Sequence, residues 1–386
     1  MPGLLSFAAA PPAVAQGSLR LPVSMSQLQE AVRRDSLDPA AHYNVALGYW
    51  NEKRYDDTER ELKAAIALDP RLAPAYVALA YLPYARRPRL WDEIYEHRVP
   101  KEWREPLEQA ARYERQAYLI DPLVDLRILG AVRGYVDWDF TQDWLAEFIN
   151  NLNFGFISFQ DAKYDHAYQR FSRLIEMFHA DRRSSFNGSF LFWYRGLAAA
   201  QLQRWDDAIK DLQQLVDYSG DMEKGDSLVV IPLQANEYRY VLAYVHQLAG
   251  HLDQAVQLYQ ECLSRDIGLY MAHVQLANIY ESARQYDNAI VERRRAVETN
   301  PDDGSLLLDL GITLGKAGQF KEGEESLLHA QSANPRDYRT PFWLGLMEMQ
   351  LGRKQEAKNY FDRFLAVAPS RVAPMVNIAK KQLQGL

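Results

Sequence analysis

Three consecutive stretches in the last third of the chain decide the fold. They read YMAHVQLANIYESARQYDNAIVERRRAVETNP (Tyr270–Pro301), GSLLLDLGITLGKAGQFKEGEESLLHAQSANP (Gly304–Pro335) and YRTPFWLGLMEMQLGRKQEAKNYFDRFLAVAP (Tyr338–Pro369). The stretches align without gaps, and their closing prolines recur every 34 residues. Self-similarity at a fixed period of this length is the signature of a repeat protein, in which each unit packs on its neighbours.

Small residues recur where the two helices of one repeat would meet. Each stretch contains two amphipathic segments of about a dozen residues, with Ala277, Gly311 and Gly345 in the first and Ala296 and Ala330 in the second. Small side chains let two helix backbones approach closely. Each closing proline ends a second helix, because proline lacks the N–H donor and cannot continue the helix. The pattern predicts a tandem array of helix pairs.

This pattern resembles the tetratricopeptide repeat family, in which an aromatic residue, Leu-Gly, Tyr, Ala, a Phe-like residue, Ala and Pro recur over 34 residues. The chain looks like a bacterial protein with many such repeats. The resemblance implies an all-α fold: a right-handed superhelical solenoid of about eight helix pairs, with irregular middle repeats and a C-terminal capping helix. It implies a function only by analogy, namely the binding of another protein.

Looser copies of the repeat extend the expected solenoid over residues 24–386. The middle of the array is expected to be irregular, because residues 124–148 are helical in pattern but degenerate. Residues 371–386 alternate apolar positions with Lys380 and Lys381, as expected of a capping helix that shields the last apolar seam. The other matches lie at 24–39, 42–70, 73–122, 152–175, 192–216 and 238–263.

Residues 1–23 are predicted to be a signal-peptide remnant or a flexible tail. Met1–Gln16 reads MPGLLSFAAAPPAVAQ, in which Ala13-Val14-Ala15 has the small-x-small form of a signal-peptidase site. The usual basic residues before the apolar run are missing. The favoured expectation is export to the periplasm, and the alternative is a cytoplasmic protein with a flexible Ala/Pro tail.

Composition narrows the class of partner. The formal net charge is −7, and no basic face of the kind that binds a phosphate backbone is evident, so nucleic acid is not the expected partner. No apolar run is long enough to predict a membrane-spanning helix, which leaves peripheral association with a membrane complex as the open alternative. The single cysteine, Cys262, allows no intramolecular disulfide and no thiolate metal cluster.

The family resemblance implies a concave groove lined by fixed positions of each first helix. A carboxylate-binding clamp found in some members is not matched, because Val274, Asp309 and Trp343 stand at its positions beside Asn278. The groove is instead expected to be apolar and aromatic, suited to an apolar helix or an extended segment. The alternative is that these residues pack against each other. The candidate groove residues are Tyr43, Leu47, Trp50, Tyr81, Tyr84, Phe156, Phe159, Trp193, Tyr240, Tyr244, Asn278, Phe342 and Met349.

Three insertions interrupt the repeat, near residues 85–105, 179–189 and 217–232. Insertions between repeats fall in loops, often on a binding face. The first is rich in Arg, Trp and Tyr, the residue types that dominate binding hot spots; the alternative is a flap that packs on its own solenoid. Its candidate docking residues are Arg86, Arg87, Arg89, Trp91, Tyr95, Trp103 and Arg104.

No pattern in the sequence predicts catalysis, a cofactor or a metal. The eight histidines do not form the HExxH pattern of a zinc helix, and there is no phosphate loop and no nucleophile elbow. The sequence therefore predicts a non-catalytic scaffold that docks on or helps assemble a larger, membrane-associated complex. A transient peptide-binding adaptor that uses the groove is the alternative, and an enzyme-associated solenoid with a site in the irregular middle is the third hypothesis.

Overall fold

The computed structural model describes residues 23–88, 90, 93, 98–124, 151–152, 154–159, 161–180, 189–222 and 235–385. These residues form α-helices, two short 3₁₀ turns (Lys101–Trp103 and Ser370–Val372) and connecting turns, and no strand occurs among them. The helices are α1 (Met25–Arg34), α2 (Pro39–Asn51), α3 (Tyr55–Leu68), α4 (Ala73–Arg86), α5 (Arg104–Ile120), α6 (Tyr164–Ala180), α7 (Ser189–Gln201), α8 (Trp205–Met222), α9 (Ala235–Leu248), α10 (Leu252–Arg265), α11 (Tyr270–Ser282), α12 (Tyr286–Thr299), α13 (Gly304–Lys316), α14 (Phe320–Ala333), α15 (Arg339–Gln350), α16 (Lys354–Val367) and α17 (Ala373–Gly385).

The helices pack in antiparallel pairs, as the 34-residue period predicts. Seven pairs are α2/α3, α4/α5, α7/α8, α9/α10, α11/α12, α13/α14 and α15/α16. An eighth pair joins the helical residues 154–159 to α6, where Phe156 packs edge-on against Phe171. The all-α repeat fold expected from the sequence is therefore confirmed in the described part of the chain.

One turn geometry recurs between the two helices of a pair. In seven turns the residue two positions before the second helix has a positive φ: Gly250, Gly318 and Gly352, and also Lys53, Ala162, Gln203 and Arg284. A left-handed residue ends a helix by turning its chain away from the helix axis. Glycine adopts this conformation without steric cost, whereas the four other residues are held in it by the packed helices on either side.

The small residues lie where two helices touch. A Cβ built on Gly345 would lie 2.7 Å from Cε1 of Phe361, and one built on Gly311 would lie 2.7 Å from Cγ of Leu327. Ala277 and Ala296 are fully buried. Because there is no room for a larger side chain, these positions set the distance between the paired helices, as the sequence predicts.

The insertions are shorter than the sequence suggests at two places. Helix α8 continues to Met222 and so includes the first six residues of the expected 217–232 insertion, while α6 extends to Ala180 and takes up the start of the 179–189 insertion. Helical periodicity simply persists past the repeat boundary at both places. The degenerate segment 124–148, apart from Val124, and the tail 1–22 lie outside the described residues.

The described chain divides into two compact units. Unit 1 is discontinuous: it combines the residues up to Arg71 with those from Ile267 onward, whereas unit 2 runs from Leu72 to Asp266. Unit 1 therefore contains α1–α3 and α11–α17, and unit 2 contains α4–α10. A solenoid in which each repeat contacts only its sequence neighbours would not place its first and last repeats in one unit.

Candidate functional site

In unit 1 a chain of ion pairs crosses the groove-forming positions. Arg293, on α12, is 4% exposed and donates to four acceptors: Asn278 Oδ1 at 2.8 Å, Glu281 Oε2 at 3.2 Å, Asp309 Oδ2 at 3.3 Å and Thr313 Oγ1 at 3.4 Å. Lys316 donates to the other oxygen of Glu281. Each buried charge therefore has an oppositely charged partner, which is what makes burial of a charge tolerable.

The N-terminal repeat closes onto this chain of ion pairs. Arg71, in the turn after α3, donates to Asp309 Oδ2 at 2.5 Å, and Arg371 donates to Asp38 at 2.7 Å. Burial alone would raise the pKa of Asp309, but the charges of Arg71 and Arg293 lower it overall. Asp309 therefore stays ionised and holds two arginines from different parts of the sequence.

In unit 2 the corresponding positions carry aromatic rings. Tyr81 and Tyr84 of α4 lie 5.8 Å apart between ring centroids, and Trp193 of α7 packs against Tyr118 and Tyr238 at 5.5 and 5.4 Å. The neighbouring ring of Tyr194 contacts Phe156, Phe159 and Phe171 at 4.8, 5.5 and 5.7 Å. Helix α5 joins this set directly, since the Tyr240 hydroxyl donates to the Leu119 carbonyl at 2.7 Å.

Glu114 of α5 is a carboxylate that lies against these rings. The Tyr81 hydroxyl donates to Glu114 Oε1 at 3.0 Å. Burial raises the pKa of Glu114 to about 7, although the hydrogen bond from Tyr81 opposes the rise. Burial and the nearby Glu114 charge also raise the pKa of Tyr81, Tyr84 and Tyr194, so these hydroxyls remain protonated donors. We call Tyr81, Tyr84, Glu114, Tyr118, Trp193, Tyr194 and Tyr238 the aromatic face.

Glu114, which is partly exposed, differs in its partners from the most deeply buried acids of the described chain. Five carboxylates of the described chain are almost fully buried, and an arginine pairs with each of them. No Arg or Lys among the described residues forms an ion pair with Glu114, and its hydrogen-bond donor in that part of the chain is a neutral hydroxyl. The five pairs are Asp211 with Arg195, Glu237 with Arg115, Glu292 with Arg295, Asp337 with Arg339, and Glu348 with Arg353.

The groups capable of covalent or metal chemistry lie apart from the aromatic face. Burial raises the pKa of the Cys262 thiol to about 12, so it remains protonated. The rings of His246 and His251 are 5.6 Å apart, but no group of three His, Cys, Asp or Glu side chains in the described ranges could hold a metal ion. The aromatic face thus offers ring surfaces, hydroxyl donors and one carboxylate, which is a set suited to binding.

Family models of the tetratricopeptide repeat match the chain over residues 194–268, 272–303 and 308–372. This is a tetratricopeptide-repeat protein. The matched ranges cover nearly all of the three stretches quoted above and extend into unit 2, so the family assignment and the observed helix pairs agree. None of the described helices of this tetratricopeptide-repeat protein is both long enough and apolar enough to span a membrane.

Relatives share the repeat over part of their length. The chain is 24% identical over 199 residues to human protein O-mannosyl-transferase TMTC1, which covers 49% of the chain and 22% of that protein. The chain therefore matches about a fifth of this relative. Among solved structures, it is similar to the part of MamA from Desulfovibrio magneticus that runs from residue 41 to the end (17% identity, TM-score 0.40, 49% of this chain and 100% of that one). It is also similar to the C-terminal part of a repeat protein from Cytophaga hutchinsonii (16% identity, TM-score 0.45, 60% of this chain and 93% of that one).

The structure separates the predicted groove residues of this tetratricopeptide-repeat protein into two groups. Six of the thirteen are buried, and so they expose almost no surface to a partner: Leu47, Trp50, Phe159, Trp193, Tyr240 and Phe342. First helices pack against neighbours on both sides, which leaves little of their surface open. The other seven are partly exposed: Tyr43, Tyr81, Tyr84, Phe156, Tyr244, Asn278 and Met349.

The predicted insertion site is only partly described. Arg87 donates twice to Glu93, at 2.8 and 2.6 Å, and its guanidinium lies 5.7 Å from the Trp103 ring. These contacts fit the alternative of a flap that packs on itself. Arg86 and Arg104 are exposed. The remaining candidates, Arg89, Trp91 and Tyr95, lie outside the described residues.

Sequence reasoning missed Glu114, although a signal was present. The apolar stripe of α5 runs through Leu107, Ala110, Ala117 and Tyr118, and Glu114 occupies the position between Ala110 and Ala117 at helical spacing. A charged residue on the buried stripe of an amphipathic helix is unusual unless it has a partner. Attention to second helices as well as first helices would have found it.

Proposed function

We propose that this chain is a non-catalytic scaffold whose aromatic face docks a segment of another protein within a larger complex. The observation that carries this proposal is the aromatic face itself. It combines partly exposed tyrosines with hydroxyl donors, and tyrosine and tryptophan are enriched at binding hot spots because they combine apolar area with a polar tip. The repeat family supports a protein partner.

The scaffold is proposed to be a lasting subunit of its complex, associated peripherally with a membrane. Large side chains that are packed before binding need not be ordered on docking, which favours tight association. Trp193 is 1% exposed and packs against Tyr118 and Tyr238 of the aromatic face, so this part of the face is already packed before a partner binds. The second candidate, a transient peptide receptor, would use the same face with a shorter residence time.

We also propose that the protein itself is exported, on the basis of the sequence Met1–Gln16 alone. The small-x-small motif at Ala13–Ala15 supports cleavage near Gln16 and a periplasmic location. Determination of the N-terminus of the protein purified from its native cell tests this, since a chain that still starts at Met1 would contradict export.

Transfer chemistry is not part of the proposal, although a relative is described as an O-mannosyl-transferase. The similarity covers 22% of that relative. Glu114 could act as a base near neutral pH, but the hydroxyls around it are held protonated and are therefore weak nucleophiles. The arrangement favours recognition of a group over reaction with it.

Site-specific photo-cross-linking tests the docking face. A benzoylphenylalanine placed at Tyr84 reports on the aromatic face, and one at the exposed Arg112 on the same helix pair is the matched control. After irradiation in the native cell and purification in mild detergent, we expect one stoichiometric protein adduct from position 84 and none from position 112. Many substoichiometric adducts from position 84 would favour the transient receptor, and equal labelling from both positions would refute the docking face.

A further inference from the structure

The carboxylates of the described chain differ in the partners that they bind. Each of the five almost fully buried carboxylates in the described ranges pairs with an arginine, whereas Glu114, which is partly exposed, has a tyrosine hydroxyl as its described donor. A buried carboxylate without a cation is unfavourable, and removal of one partner from a buried pair is strongly destabilising. Glu114 is partly exposed among tyrosine rings and no cation of the described chain is paired with it, so a cation that arrives with the partner could reach it.

We propose that the aromatic face receives an arginine side chain of the docked protein, with its guanidinium bound to Glu114 and stacked on the surrounding tyrosine rings. The proposal rests on the function proposed above and names the group that the face recognises. Charge complementarity supports it, because a planar cation can bond to the carboxylate and contact ring faces at the same time.

Unit 2 already contains an assembly of this kind. Arg195 donates to both oxygens of Asp211, at 2.7 and 2.6 Å, and its guanidinium lies 5.9 Å from the Tyr168 ring centroid and 5.6 Å from that of Phe192. A carboxylate, an arginine and two aromatic rings thus form a stable group within this fold. Glu114 and its tyrosines provide the same components without the arginine.

Arginine fits the site better than lysine. The guanidinium is planar, offers two parallel donors to a carboxylate and stacks on aromatic faces, whereas the ammonium of lysine is a more strongly hydrated point charge. All five almost fully buried carboxylates in the described ranges also pair with arginine. The expected order of affinity is therefore arginine, then lysine, then a neutral analogue.

The surroundings of Glu114 make binding pH-dependent. The titratable groups that face it are Tyr81 and Tyr84 from α4, Tyr118 from its own helix and Tyr194 from α7, all of which stay neutral because their pKa values are raised. Next to it on α5, Arg115 is already paired with Glu237. Since the pKa of Glu114 is about 7, affinity for a cation should rise between pH 6 and pH 8 as the carboxylate ionises.

The test uses small probes on the full chain. N-acetylarginine methylamide is compared with the lysine compound and with the citrulline compound, which is the neutral isostere of arginine. Binding is followed by ¹⁹F NMR of protein labelled with 5-fluorotryptophan, with the Trp193 signal assigned through W193F. We expect saturable millimolar binding of the arginine probe, weaker binding of the lysine probe and none of citrulline.

Two variants decide the role of the carboxylate. Glu114→Gln keeps the shape and removes the charge, and it should weaken arginine binding about tenfold and abolish its pH dependence. Glu108→Gln, at an exposed position of the same helix, should change neither. Equal binding of the arginine and citrulline probes, or unchanged binding in Glu114→Gln, would overturn the proposal.

A cation from the chain itself is the competing occupant. Arg127 and Arg133 lie in the segment outside the described residues. A ¹³C NMR titration of glutamate-labelled protein, with Glu114→Gln for assignment, measures the pKa of Glu114 in the free protein. A value near 7 supports an empty cation position, whereas a value below 5 that rises in Arg127→Gln or Arg133→Gln would overturn the proposal.

The two proposals fail in different ways. If the position-84 cross-link forms a stoichiometric adduct while the arginine probe does not bind, the docking function stands and the arginine is wrong. If the probe binds through Glu114 while no adduct forms at position 84, the site recognises guanidinium groups but the scaffold function must be rejected.

Discussion

In unit 1 the groove-forming positions are crossed by Arg293, Asp309 and Arg71, and their charges are balanced within the chain. In unit 2 the same kind of surface carries tyrosines around Glu114, whose described partner is neutral. Both surfaces come from one repeat pattern, so the helical scaffold alone does not determine what a groove can bind. The side chains that project from the scaffold determine this binding. A surface whose charges are already paired within the chain has fewer charged groups available to bind a partner.

The largest expected effect is loss of Arg293. Arg293→Ala leaves Asp309 and Glu281 buried with fewer partners, and we expect unit 1 to lose about 3–5 kcal/mol of unfolding free energy. Hydrogen exchange with mass spectrometry measures the protection of each unit separately. The matched control is Arg294→Ala at the neighbouring exposed position, paired with Glu322, for which we expect about 0.5 kcal/mol or less. Equal loss of protection in unit 2 would show that the two units do not behave separately.

The second effect is the pH dependence of unit 2. The folded pKa of Glu114, about 7, lies above the value of about 4.5 for an unfolded glutamate, so its stabilising contribution is complete below pH 4.5 and is lost as the pH rises through 7. Relative to Glu114→Gln, wild-type unit 2 should become less stable between pH 5 and pH 8, by up to about 3 kcal/mol and by less where water reaches the carboxylate. Exchange protection in α4 and α5 measures this. Parallel pH profiles for wild type and variant would contradict it, and Glu108→Gln should follow the wild type.

The third effect compares helix contacts. In Gly345→Ala of unit 1 the new Cβ meets the fully buried Phe361 ring at 2.7 Å, whereas in Gly196→Ala of unit 2 it lies 3.2 Å from the Cβ of Asp211. Overpacking should make the first variant less stable by about 1–2 kcal/mol. The second should be nearly neutral, because the helix preference of alanine, about 1 kcal/mol, offsets a milder contact. Thermal unfolding compares the two, and a more damaging Gly196→Ala would reverse the order of packing tightness.

The smallest effect concerns the ion pair that helps close unit 1. Arg371 donates to Asp38 at 2.7 Å, but its side chain is 37% exposed. Arg371→Ala should therefore lower the stability of unit 1 by less than about 1 kcal/mol, and the difference should shrink at high salt. Exchange protection of α2 at low and high salt measures it, with Arg363→Ala at an exposed position of α16 as control. A loss as large as that of Arg293→Ala would mean that this pair, rather than Arg71 and Asp309, holds the unit closed.

The fold could be predicted from the sequence because residues with a packing role recur at a fixed spacing in each repeat. Gly311 and Gly345 mark positions where paired helices touch, and each closing proline marks the end of a second helix. The glycines at 250, 318 and 352 also allow the positive φ of their turns to be predicted. Lys53 and Gln203 adopt the same positive φ, although their residue types do not predict it. Tertiary packing overrides the preference of those side chains, which spacing alone cannot show.

The site was less predictable, because burial depends on neighbours that are distant in the sequence. Trp193 and Tyr240 occupy groove positions by spacing, yet helix α5 covers them, and Tyr240 bonds to the Leu119 carbonyl. The signal for Glu114 was its charge on the apolar stripe of α5. That helix is a second helix, and the family analogy places groove residues on first helices. The sequence contains no signal for the discontinuous unit, since Arg71 and Asp309 are ordinary surface residue types that lie 238 positions apart.

The contacts of Arg71 with Asp309 and of Asp38 with Arg371 also set the order in which the protein can be completed. Repeat arrays usually fold as they leave the ribosome, because their contacts are local. Here the first repeat cannot form its ion pairs until Asp309 and Arg371, which follow more than 200 residues later, have been synthesised. During synthesis the N-terminal helices remain exposed, so a nascent chain stalled before Asp309 should be a substrate for proteases and chaperones at its beginning, well away from its unfinished end.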